Sequence, residues 1–259
     1  MNQTVPILLT ERNGRHVILT LNRPEKHNAM TLELWRILHR TILEIREDRS
    51  VSTIVLRGAG GRAFSAGMDI REEYQTFCTA IGEIGRAIHG CCRDLMQIPQ
   101  VVLCVVEGYC FGAALELMLS CDYVMANDRA VFSLPEMKVG IPCMVESALL
   151  VPVVGLLRAK EMCYFGRSYD AAQALKMGLV NEVVNRSVLE QRIKERIADL
   201  CEMDPPALAA QKDIIHKWLT SDLETAMQYS ILAMKPCEGS EAQRNRMRQA
   251  LGIKETDGD

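Results

Sequence analysis

Short apolar runs rich in β-branched residues alternate with longer segments of helical period, and that alternation limits the fold of this chain more than any other feature. Residues 17–21 read as a strand and 22–28 as the loop after it. Thr31 then caps a helix in which Leu34, Ile37, Leu38, Ile42 and Ile45 recur on one face. Residues 52–57 read as a second strand, 79–97 as a helix made less regular by Gly82, Gly85 and Gly90, and 101–106 as a third strand. Strand, helix and strand in this order imply right-handed crossovers, a mostly parallel sheet and an α/β class. After residue 187 the pattern is helical alone, over 188–202, 206–219, 221–235 and 240–252. We therefore expect a core domain over residues 1–187 and a helical region over 188–259, with a frayed end at 257–259.

Charge and cysteine usage exclude several function classes. With Lys+Arg 30 against Asp+Glu 33 and only 5% aromatic residues, the chain offers neither the basic excess nor the stacking surface of a nucleic-acid binder. Its ten cysteines lie scattered between Cys78 and Cys237 with no CxxC pair and no histidine cluster at zinc spacing, so reduced, buried, apolar thiols are expected and no metal. The first residues lack the basic, apolar and small-residue sequence of an export signal, and nowhere do about eighteen apolar residues run together. A cytoplasmic protein without a membrane partner is expected.

Two glutamates stand in short, specific contexts: Glu116 after Gly108-Tyr-Cys-Phe-Gly-Ala-Ala-Leu, and Glu136 after Phe132-Ser-Leu-Pro. A Gly-rich turn entering a helix leaves the first amide N–H groups without intrahelical partners and turned toward incoming negative charge. If a helix opens at Gly112-Ala113-Ala114, Glu116 projects from the face of the free Ala113 amide. An oxyanion donor and a titratable carboxylate would then share one site.

Together with Phe64-Ser-Ala-Gly-Met-Asp-Ile70 upstream, Cys121-Asp122 and the stretch 166–184 downstream, these motifs make residues 5 to 235 resemble the crotonase (enoyl-CoA hydratase/isomerase) superfamily. The resemblance implies a spiral of ββα units with a C-terminal helical region that packs homotrimers or hexamers and helps cover an acyl-CoA site. It implies reversible hydration of a 2-enoyl-CoA to a 3-hydroxyacyl-CoA, with Glu116 activating water and Glu136 delivering the α-proton. The oxyanion donors would be the amides of Met68 and Ala113. Coenzyme A, present as the substrate's thioester and not as a permanently bound cofactor, would lie along Lys26 and Ala29 and around Ala66, Asp69 and Ile70.

Hydratases of this family carry both glutamates, whereas isomerases and several other branches keep only one. Isomerase, thioester hydrolase and a catalytically idle binding subunit on the same fold stay open as alternatives. Where many hydratases have a Gly-rich stretch, this chain has Gly140-Ile-Pro-Cys-Met-Val-Glu146, which would set Pro142, Met144, Val145 and Glu146 along the acyl pocket. The turn at Gly58-Ala-Gly-Gly61 lacks the spacing of a dinucleotide loop, and the five isolated histidines, His89 among them, read as surface or packing residues.

Overall fold

The computed structural model describes residues 5–253, so the expected frayed end at 257–259 and the first four residues lie outside the described residues. In chain order the strands are β1 Leu8–Asn13, β2 His16–Leu21, β3 Thr53–Gly58, β4 Ala63–Ser65, β5 Val101–Val106, β6 Tyr109–Phe111, β7 Tyr123–Asn127, β8 Val131–Ser133, β9 Ser168–Asp170 and β10 Glu182–Val184. The helices are α1 Leu32–Arg46, α2 Tyr74–Thr79, α3 Ile81–Gln97, α4 Ala113–Leu119, α5 Leu150–Val154, α6 Leu156–Phe165, α7 Ala171–Lys176, α8 Leu189–Glu202, α9 Pro205–Thr220, α10 Leu223–Ala233 and α11 Glu241–Leu251.

The strands form two sheets, ordered β1-β2-β3-β5-β7-β10 and β4-β6-β8-β9. The first is parallel except for the β1–β2 hairpin, and the second except for the β8–β9 pair. Each long strand β3, β5 and β7 is followed within a few residues by a three-residue strand of the second sheet, and a helical segment comes next. That repeat is the ββα spiral. The single, mostly parallel sheet read from the chain is thus two sheets, because the three-residue strands are too short to show a period.

Both faces of the larger sheet are covered, as parallel strands require. Along β5, Val102, Cys104 and Val106 join the main core with Trp35, Phe64 and Phe132. Leu103 and Val105 face the other way, against Leu189, Ile193 and Ile197 of α8. Each such side chain contributes roughly 1.5–3 kcal/mol by leaving water. The helical region is therefore welded to the sheet at two points. Besides α8, Lys212 of α9 is buried, its ammonium 2.7 Å from Asp122 Oδ2 and donating to the carbonyls of Leu95 and Gln100 at 3.0 and 2.9 Å. Asp122 also accepts the Val102 N–H at 2.7 Å, tying the start of β7 to β5.

All ten cysteines are free, but they are not uniformly buried: Cys78 is exposed, and Cys121, Cys143, Cys163 and Cys201 are partly so. Among the described residues no helix is long and apolar enough to cross a membrane.

Candidate active site

Strand β6 ends at Phe111; Gly112 follows, with a φ of 58° and ψ of −131° that suit glycine alone, and the chain enters α4 at Ala113. The Gly112 carbonyl accepts from Leu115 and Glu116 while the Gly112 N–H donates to Ser133, so Ala113 is left as a free first-turn donor. A second turn meets it. A Cβ on Gly67, at φ 88°, would lie 2.6 Å from the Phe111 carbonyl oxygen and 3.4 Å from the Ala113 nitrogen, so only glycine lets the two backbones approach this closely. The next residue, Met68, is pinned on both sides: Met30 donates to the Gly67 carbonyl, Asp69 donates to the Met30 carbonyl, and the Trp35 indole N–H donates to Met68 Sδ at 3.0 Å. Among the described residues neither the Met68 nor the Ala113 N–H has a partner.

Glu116, one turn into α4, is only 4% exposed, and its Oε1 accepts from the Ser147 hydroxyl at 2.6 Å and the Ser147 N–H at 3.1 Å. Glu136 opens a short 3₁₀ turn after β8 and reaches back over the glycine: its Oε1 lies 2.7 Å from where a Gly112 Cβ would be. The Cys143 thiol approaches its Oε2 at 3.8 Å. Burial above all, then the charges of Glu136 and Glu146, push Glu116 up to about 8 against the hydrogen bonds from Ser147. Burial also raises Glu136. Two carboxyls with raised proton affinity and two unsatisfied amides therefore meet in one place.

They line a cavity of about 160 Å³ with apolar walls from Phe77, Ile84, Ile88, Val139, Ile141 and Met144. A larger cleft of about 920 Å³ runs from Val154 to Met177, but Glu161 is its only carboxylate among the described residues, so it holds no carboxylate pair. The smaller cavity is the chemically equipped one. Of the residues singled out from the sequence, Glu116, Glu136, Met68, Ala113, Ala66, Ile70, Pro142 and Met144 line it. Lys26, Ala29 and Asp69 do not. Lys26 is exposed, the Ala29 carbonyl accepts from Arg23 Nη1 at 2.6 Å, and the Asp69 carboxylate is paired with the same guanidinium at 3.0 Å.

Val145 and Glu146, also expected along the acyl pocket, do not line this cavity. Val145 stands at φ 41°, a strained conformation for a β-branched residue, and lines a neighbouring cleft with Cys143 and Tyr164. Glu146, buried, turns to His89, with His Nδ1 and Glu Oε1 2.6 Å apart. His89 is accordingly not an isolated surface or packing residue.

Several residues on which the site depends carried no readable motif. Arg23 braces the 27–30 loop and Asp69 together and pairs with Glu72 at 2.6 Å. Asn28, wholly buried at φ 54°, accepts from the Arg23 N–H and donates to the Ala59 and Ala63 carbonyls. Ser147 holds Glu116. The only hint in the chain was their closeness to the recognised motifs.

Comparison with known proteins agrees with the fold. The enoyl-CoA hydratase/isomerase family model matches residues 11–247. The short-chain-enoyl-CoA hydratase of Clostridium acetobutylicum is 29% identical, with 97% of each chain covered. The carnitinyl-CoA dehydratase of Escherichia coli K12 is 32% identical over 84% of this chain and 83% of its own. The crystal structure of enoyl-CoA hydratase from Bacillus anthracis superposes with a TM-score of 0.90 at 28% identity, covering 97% of this chain and 98% of that one.

Proposed function

The chain belongs to the enoyl-CoA hydratase/isomerase family, and from that premise we propose that it is a hydro-lyase that reversibly hydrates a short 2-enoyl-CoA thioester through Glu116 and Glu136. The observation that carries this reading is the meeting of two carboxyls, one buried and one half-buried, both raised by burial, with two unbonded amides in one apolar cavity. Incubation with crotonyl-CoA and a panel of substituted enoyl-CoAs tests it. Hydration removes the conjugated absorbance, and release of free thiol instead would overturn it in favour of hydrolysis.

In the proposed reaction the thioester oxygen accepts from the Met68 and Ala113 N–H groups. Water bound at Glu116 adds its oxygen to the β-carbon and leaves its proton on that carboxylate, and the electron pair moves toward the thioester oxygen. The resulting enolate-like charge is what the two amides hold; such a donor is worth roughly 10²–10³ in rate. Glu136 then protonates the α-carbon. One carboxyl must begin ionised and the other protonated, so the pair needs one shared proton, and its titration belongs to the pair. The coenzyme A portion is proposed to follow main-chain groups of the braced loops 26–29 and 66–70, with exposed Lys26 as a point charge toward its phosphates.

The sign of the pH dependence follows. With ionised Glu136 beside it, Glu116 holds the last proton of the pair to about 8; past that value both carboxyls are ionised and no proton remains for the α-carbon. Hydration kcat/KM should therefore fall as pH rises through about 8. A profile flat from neutrality into the alkaline range would contradict the shared proton.

Met144 lines the cavity from the 140–146 segment, so trimming it should lengthen the acyl preference. We expect Met144→Ala to favour longer or branched substrates over crotonyl-CoA by about 1–3 kcal/mol per accommodated methylene. The check is kcat/KM across a chain-length series, where an unchanged ranking would remove Met144 from the acyl wall.

We further propose that residues 188–259 act as the oligomerisation region of a trimer or hexamer. Leu223, Met227 and Ile231 form a stripe along α10 at 74%, 50% and 72% exposure, more apolar surface than a monomer leaves in water by chance. Light scattering should give a multiple of the 29.0 kDa chain mass. A monomer at micromolar concentration would sink the assignment.

A further inference from the structure

The 3₁₀ turn Val145–Leu149 packs against both α3 and α4, and it starts from a conformation that its first residue resists. Val145 takes a φ of 41°, which a β-branched residue holds only when its surroundings impose it. Those surroundings are on α3. Val145 Cγ1 lies 3.8 Å from where a Cβ on Gly85 would be, and one helical turn further on, His89 Nδ1 lies 2.6 Å from Glu146 Oε1. Glu146 is 4% exposed; His89 is its hydrogen-bond partner, and its Oε2 has none among the described residues. A carboxylate buried on these terms is costly, so the imidazole is what keeps it in place. Ser147 is next in the chain. Its hydroxyl donates to Glu116 Oε1 at 2.6 Å, while its N–H is shared between that oxygen at 3.1 Å and the Met144 carbonyl at 3.0 Å. A turn released from α3 can therefore relax, leaving that N–H to Met144 and taking the hydroxyl off Glu116.

We propose that His89 is a positioning residue for Glu116: by holding Glu146 it clamps the strained 145–147 turn to α3 and so keeps both Ser147 donors on the Glu116 carboxylate. This rests on the hydratase reading. A neutral imidazole can donate from Nδ1 as a charged one does, so the clamp stays closed on the alkaline side. The ionisable groups facing Glu116 are Glu136, Glu146 and the thiols of Cys92, Cys143 and Cys163. Against these, the Ser147 hydroxyl and N–H favour the ionised form of Glu116, and each counts for more than the opposing charge of Glu146. Without the two donors Glu116 holds its proton to higher pH.

His89→Ala should lower kcat for crotonyl-CoA by about tenfold, less than the roughly 10²-fold effect of removing a directly acting acid or base. It should also move the falling alkaline limb of kcat/KM upward by about one to two pH units, the worth of hydrogen bonds to a charged group. Ser147→Ala should move the limb in the same direction. The double variant should move it no further than His89→Ala alone, because both changes act on the same donors. His89→Asn, whose amide N–H stands where Nδ1 stood, should keep the parent limb. Lost activity with an unmoved limb would mean a merely structural role and overturn the clamp. A downward shift would overturn it as well, since Glu146 would then act on Glu116 by charge alone, and so would shifts that add in the double variant. Failure of the unsubstituted protein to hydrate any enoyl-CoA would instead overturn the hydratase reading itself.

Discussion

Glu116→Gln and Glu136→Gln should each lower enoyl-CoA hydration by about 10²–10⁴, the usual contribution of a positioned proton-transfer group. Each amide keeps the volume of the side chain it replaces. The amide oxygen introduced by Glu116→Gln can still accept from Ser147, and the side chain introduced by Glu136→Gln can still lie over Gly112. Folding and coenzyme A binding should therefore survive. The double variant should lose less than the product of the single effects, because the two groups act around one water. Stability supplies an internal control. Folded Glu116 keeps its proton to about 8 against an ordinary 4.5, so the fold loses stability as pH rises across that window. The Glu116→Gln protein should lack that loss and melt higher than the parent at alkaline pH. Near-normal turnover in either variant would end the two-carboxylate mechanism.

Gly112→Ala should be nearly as damaging to turnover, although the residue has no chemistry of its own. Its φ of 58° and ψ of −131° are adopted readily only by glycine, and its new methyl would sit 2.7 Å from Glu136 Oε1. Something must shift. The cheaper movement is the Glu136 side chain, which would swing off the cavity, or the turn itself, which would re-aim the Ala113 amide. Either loses a group worth about 10²–10³ in kcat, with roughly 1–3 kcal/mol of backbone strain added. Gly239→Ala is the matched control, because it also has positive φ, at 66°, but meets nothing within 4 Å. It should show strain in its melting temperature and no change in kcat/KM. Wild-type turnover in the Gly112 variant would mean that the glycine does not hold Glu136 and Ala113 in register.

How far the fold was legible depended on element length. The strand at 101–106 and the helices of the C-terminal region declared themselves through period and composition, and the observed bounds differ by at most a few residues. Strands β4, β6 and β8, three residues each, could not show an alternation, so the second sheet was invisible. β1 does carry a hairpin signal in Asn13-Gly14, but Glu11, Arg12 and Asn13 give the strand a polar, exposed end that masks it. At the site, the Gly-rich turns and their glutamates were visible because main-chain geometry demands particular residues there. Side-chain direction was not. Val145 at positive φ turns its neighbour Glu146 away from the cavity and onto His89, a partner far off in sequence, and no spacing rule anticipates a strained valine. Arg23 was hidden for a similar reason, since its partners at Ala29, Asp69 and Glu72 meet only after the loops fold together.

The pairing of Lys212 with Asp122 bears on how the chain is made as well as how it stands. Asp122 emerges from the ribosome well before its cation, at the entry to a strand in the middle of the larger sheet. Until α9 arrives, that carboxylate has the Val102 N–H and no countercharge, and the Leu95 and Gln100 carbonyls lack the ammonium that joins them to it. This tie at the junction of β5 and β7 is completed only by one of the last helices to be synthesised, a long-range contact of the kind that slows folding. A shortened chain ending before α9 would be expected to behave as an aggregation-prone intermediate more than as an independent domain.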